Sequence, residues 1–147
     1  MTQEQKELLK RDLCSRLDTN LVCSIYRVDD YGVGYRDEIL SGYCKGDIWY
    51  EFYFGDDCGI GIDDVSKIKP YLIPISKMTE EQRLELETIT GETIGFDAYS
   101  LHDFTGYSEI SLSRTMEIIQ WCYENHIDIN GLIPMDLAIE APEGMYN

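Results

Sequence analysis

After Arg83 the chain carries one further cationic side chain, Arg114, against twelve carboxylates. Affinity for a nucleic-acid backbone comes from replacing counterions with lysine and arginine. Direct nucleic-acid binding is therefore disfavoured. Also lacking is any apolar run near the roughly 20 residues of a membrane helix, so no membrane partner is expected. Five cysteines, Cys14, Cys23, Cys44, Cys58 and Cys122, form an odd set without a CxxC pair. The first turn is charged and has no secretory pattern, which predicts reduced thiols in a cytoplasmic protein. With two histidines in 147 residues, the means for acid–base or metal chemistry are few.

What is present is acid and aromatic character. The formal charge is -16, and residues 1–83 hold sixteen acidic and eleven basic side chains, so the imbalance is concentrated in the last part. A solvated acidic surface that keeps the molecule dissolved is one explanation, and attraction to a basic partner is the other. An apolar fraction of 44% with 12% aromatics is too rich for disorder. The length fits one domain, 1–147, with a single core.

The opening TQEQKELLKRDLCSRL predicts a helix. Thr2 and Gln5 form a capping box, Leu9, Leu13 and Leu17 form a narrow stripe, and Lys10, Arg11 and Arg16 give a basic outer side. Three strands are expected in LVCSIYRV, EILSGYC and DIWYEFYF. The first two are joined by a glycine-containing loop, DDYGVGYRD, and the second pair by a tight turn at Lys45-Gly46. The third has aromatics on both faces and is expected to be central. CGIGIDDV suggests a fourth short strand; in KPYLIPI, Pro70 and Pro74 argue against an inner strand. Thr79 and Gln82 then start a helix, SKMTEEQRLELETI, with a second capping box, and residues 90–111 have no period.

SLSRTMEIIQWCYENH is the clearest helix. At about 100° per residue, Leu112, Met116, Ile119 and Tyr123 share a stripe that Ile118, Cys122 and His126 widen. Trp121 falls on the opposite side with Arg114, Glu117, Glu124 and Asn125. An indole on a charged face is costly unless something covers it, and tryptophan is enriched at binding hot spots. Trp121, Glu117 and Glu124 are therefore candidate binding residues, joined by Phe96, Tyr99, Phe104 and Tyr107 of the aromatic loop. The competing reading is that LIPMDLAIEA folds back as the cover of Trp121.

No catalytic or metal-binding set is expected, and no cofactor. Cys122 and His126, four apart, supply two ligands where zinc needs four, and both fall on the apolar arc. His102-Asp103 has no nucleophile in motif context. Asp56, Asp57, Asp63 and Asp64 fail the spacing of a calcium loop.

KPYLIPISKMTEEQ (residues 69–82) and QWCYENHIDINGLIPMDLAIEAPEGMY (residues 120–146) resemble a group of small uncharacterised proteins of gut bacteria, their prophages, phages and mobile elements. Those end in a GLI...LA.EAPEGMY pattern. Asn130 stands where the group carries arginine, and residues 87–111 look like a divergent insertion. The resemblance implies a genomic setting and a shared fold, and it carries no activity.

The expected fold is α+β: an antiparallel sheet of three to five strands, packed by the N-terminal helix and the long C-terminal helix. The leading expectation for function is a non-enzymatic cytoplasmic accessory protein of phage or mobile-element type that recognises a basic host protein, as inhibitor or adaptor. A small-molecule binding or sequestering protein, taking a nucleotide or metabolite between the sheet and residues 96–107, is the alternative. An enzyme using His102 or His126 is the second alternative. Oligomeric state stays open, a homo-oligomer included.

Overall fold

The computed structural model describes residues 1–30, 32–56, 59–90 and 112–146. It is α+β, with three α-helices among these residues and a mixed sheet of six strands, more than the three to five expected. The chain groups into two compact units, Met1–Tyr71 with Leu137–Ile139, and Leu72–Asp136 with Glu140–Asn147.

In the first unit α1 (Gln3–Ser15) begins with the expected box. The Gln5 N–H donates to Thr2 Oγ1 at 3.2 Å, and the Thr2 N–H donates to Gln5 Oε1 at 2.8 Å. Leu9 and Leu13 are fully buried. The basic outer side is smaller than expected, because Arg16 is buried too. Its Nε and Nη2 donate to the Asp12 carboxylate one turn back, at 2.7 and 3.1 Å, and neither side chain is exposed. A guanidinium enters the interior when a bidentate carboxylate comes with it. Lys10 stands 5.1 Å over the Tyr50 ring and pairs with Glu7, which places α1 against the Tyr50, Phe52 and Phe54 face of the sheet.

The strands are β1 (Val22–Asp29), β2 (Gly32–Lys45), β3 (Tyr50–Phe54), β4 (Ile60–Ile62), β5 (Ile68–Leu72) and β6 (Ile139–Glu140), in the order β4-β3-β2-β1-β5-β6. Three expectations need correction. The glycines of DDYGVGYRD are not a loop: β2 starts at Gly32, and Gly32 and Gly34 lie opposite Asp29 and Arg27. Positions without side chains leave room there for the Arg27–Asp29 ion pair at 3.3 Å. The β2–β3 connection is wider than a two-residue turn, since Lys45 pairs with Tyr50 and the Gly46 N–H donates to the Trp49 carbonyl at 2.8 Å. Ile48, part of the expected third strand DIWYEFYF, instead lies before it and is 98% exposed at that tip.

The third correction concerns position in the sheet. β3 lies next to the edge strand β4, and β1 and β2 are the middle pair. Its outward residues Glu51 and Tyr53 satisfy each other, the Tyr53 hydroxyl donating to Glu51 Oε2 at 2.9 Å. β5, meanwhile, is an inner strand despite Pro70, which pairs with Cys23. Antiparallel pairs alternate between those that exchange hydrogen bonds and those that do not, and a proline is tolerated in the second kind.

In the second unit α2 (Glu80–Thr90) carries its predicted box, with the Gln82 N–H donating to Thr79 Oγ1 and the Thr79 N–H to Gln82 Oε1. It packs with α3 (Leu112–Glu124) over a core of Ile75, Met78, Leu86, Ile118, Cys122, Ile127 and Ile129. The buried line of α3 is thus Ile118 and Cys122, while Met116 is 63% exposed. Relative to the stripe drawn from sequence the helix is turned by about a quarter of a revolution.

α3 ends in a Schellman motif, in which the Ile127 N–H reaches the Cys122 carbonyl at 2.8 Å and the His126 N–H the Tyr123 carbonyl at 3.2 Å. The left-handed position is His126, at φ 59°. Ile127 then bridges to Ile73, and the buried Asp128 carboxylate accepts from the Leu132 and Ile133 N–H groups at 2.8 and 2.9 Å. Tyr146 closes the tail by stacking on His126.

Candidate interaction surface

Leu84 and Leu86 stand two apart on α2, about 200° around the helix, so they cannot share its buried side. Leu86 enters the core and Leu84 faces outward, 53% exposed. Beside it Glu85 accepts a hydrogen bond from the Trp121 Nε1–H at 3.1 Å. The indole is half-buried, one part of it packed against the core cluster. Trp121 thus meets α2 through Glu85, where the LIPMDLAIEA segment was the expected cover. In that segment Leu132 and Leu137 are buried while Ile133 and Ile139 are half-buried.

Around the indole the α3 surface is acidic. Glu117 and Glu124 precede and follow Trp121 by about one turn, both exposed, and Gln120 Nε2 donates to Glu124 Oε1 at 2.8 Å. The structure thus sets Trp121 between Glu117 and Glu124 and adds Glu85, which the sequence reading missed. Arg114, the nearest cation along α3, stands three residues before Glu117, while Arg83 pairs with Glu80 and Lys77 with Glu140. A half-buried aromatic rimmed by carboxylates can seat an apolar residue and attract lysine or arginine around it.

Phe96, Tyr99, Phe104 and Tyr107, with His102, lie outside the described residues. His126 is buried as the helix-terminating residue, its ring against Tyr146, and Cys122 is buried among aliphatic side chains. Among the described residues no group of three or more histidine, cysteine, aspartate or glutamate side chains is placed to hold a metal. Asp64, part of the acidic turn, caps the short 3-10 turn Val65–Lys67: it accepts from the Ser66 hydroxyl at 2.7 Å and the Ser66 N–H at 3.0 Å. Those bonds hold its carboxyl below the usual carboxylate range. No described helix is long and apolar enough to cross a membrane.

Comparison with known proteins finds no matching family model, no similar curated protein and no similar solved structure.

Proposed function

We propose that the protein acts by binding, as a non-enzymatic cytoplasmic accessory protein of phage or mobile-element type, and that the α2–α3 surface centred on Trp121 recognises a basic host protein. The observation that carries this reading is the Trp121–Glu85 hydrogen bond with Glu117 and Glu124 on either side of the indole. A tryptophan whose polar edge is held and whose ring is half-buried loses little freedom on binding, and such residues anchor interfaces. The carboxylates supply long-range attraction and partner choice more than raw affinity. The genomic setting rests on the resemblance of residues 69–82 and 120–146 to proteins of phages and mobile elements.

The test is capture of host proteins by the immobilised chain, compared with a Trp121→Ala variant and with a Glu117→Gln, Glu124→Gln double variant. The proposal expects a basic protein retained by the parent and lost from both variants. Retention of the same proteins by all three forms would contradict it.

A further inference from the structure

In the first unit the two faces of the β1–β2 ladder are unlike. Cys23 and Ile25 point to one side and are buried, and Cys23 lies in the field of Asp12 and Arg16, so this is the side that α1 covers. By alternation the other face carries Val22, Ser24, Tyr26 and Val28 on β1, and opposite them Ile39, Asp37, Tyr35 and Val33 on β2. We infer that the far end of this face, formed by Tyr26, Val28, Val33 and Tyr35, is where a second copy of the chain docks face to face in a two-fold dimer. The inference does not rest on the α2–α3 surface.

Exposure is the first argument. Val28, Val33 and Tyr35 are 72%, 66% and 67% exposed, and the patch is continuous. Val28 stands opposite Val33, and the Tyr26 and Tyr35 rings meet edge to face with centroids 5.2 Å apart. Cross-strand pairs of this kind stiffen a hairpin by themselves. Threonine would serve the strand as well, whereas valine and tyrosine add apolar area that stays in water unless a partner covers it.

Area and charge select a second copy as that partner. At these exposures the patch presents roughly 400 Å² per chain, so two copies face to face remove about 800 Å² from water. Ile39, also exposed, raises the total to about 1,000 Å², where specific interfaces begin. A weak, reversible dimer follows. Charge then decides between a copy and a basic protein. The strand positions of this face hold one carboxylate and one ammonium, Asp37 on β2 and Lys69 of β5 opposite Ser24, and Asp37 accepts from the Tyr71 hydroxyl at 3.1 Å. In a chain of net charge -16 this face is therefore neutral. A two-fold contact requires a surface to complement itself, which a neutral face of valine and tyrosine does and an acidic one does not.

The experiment is sedimentation equilibrium of the full chain over a range of concentrations, at about 0.05 M and about 0.5 M ionic strength. A monomer–dimer equilibrium that tightens with salt is expected, because salt screens the repulsion between two chains of net charge -16 and leaves apolar contact intact. Capture of a basic protein by the acidic surface has the opposite salt dependence, so the two binding proposals fail separately. Val28→Lys and Val33→Lys should each weaken the dimer about tenfold or more, since a two-fold contact feels every substitution twice. Lysine lowers the overall repulsion, so the weakening is assigned to the patch. Ile48→Lys, which removes another exposed apolar residue at the β2–β3 tip, should leave the dimer unchanged, as should Trp121→Ala. A monomer at every concentration up to about 1 mM in both salts would overturn the inference. So would a dimer that persists in Val28→Lys and Val33→Lys with parent-like circular dichroism, or one that Ile48→Lys abolishes.

Discussion

The His126 imidazole lies parallel to the Tyr146 ring, centroids 3.7 Å apart and planes 24° apart, although twenty residues separate them in the chain. One ring belongs to the residue that ends α3 in the left-handed conformation, and the other to the end of the tail. The stack therefore fastens the final segment to the helix terminus.

Two substitutions separate its parts. Tyr146→Ala removes the stack and should lower stability by about 0.5–1.5 kcal/mol beyond the lost burial. His126→Gly loses the same stack but relieves the left-handed strain, whereas His126→Ala loses the stack and keeps the strain. The glycine variant should therefore be the more stable of the two by about 1 kcal/mol, measured by urea unfolding. Equal stability would mean that the φ of 59° costs nothing.

The buried Asp12–Arg16 pair predicts a second asymmetry. Asp12→Ala leaves a guanidinium without its bidentate partner in the interior and should cost about 3–5 kcal/mol. An Asp12→Leu, Arg16→Met double variant removes both charges and should recover much of that loss. Unfolding midpoints of the two proteins decide it; a double variant no better than the single one would show that the pair is needed for more than charge compensation.

Acid should act on Asp64. Its carboxyl is depressed by the Ser66 hydrogen bonds and by Lys6, so its folded pKa lies below the unfolded value of about 3.9. A group of this sign stabilises above the unfolded pKa, and the contribution disappears as pH falls through the folded one. Parent and Asp64→Ala should differ at neutral pH and converge in strong acid. A constant difference across the titration would assign the effect to packing.

Local chemistry was what the sequence displayed openly. Both capping boxes, at Thr2 and Thr79, form as written, because they need only neighbours three residues apart. The strand cores also fall where β-branched and aromatic residues cluster. What failed to show was decided by distant partners. Gly32 and Gly34 read as a loop until the Arg27–Asp29 pair across the ladder gives them a place. Arg16 read as surface because its charge is visible and its burial is not. The quarter-turn of α3 follows from where α2 packs, which periodicity within one helix cannot specify. For the candidate surface, Trp121, Glu117 and Glu124 were legible as a mismatch between an indole and its charged face. Glu85 was not, since nothing in α2 alone marks one glutamate among several as the partner of a tryptophan 36 residues on.

The most direct measurement is the salt dependence of host-protein capture, read at about 0.05 M and about 0.5 M ionic strength, with Trp121→Ala in parallel. The screening length falls from about 14 Å at the lower value to about 4 Å at the upper, so attraction between exposed charges is largely lost across that range. Recognition of a basic protein by Trp121, Glu117 and Glu124 predicts retention that falls steeply with salt and is lost in Trp121→Ala even at the lower value. Retention that is indifferent to salt and to Trp121 would contradict it.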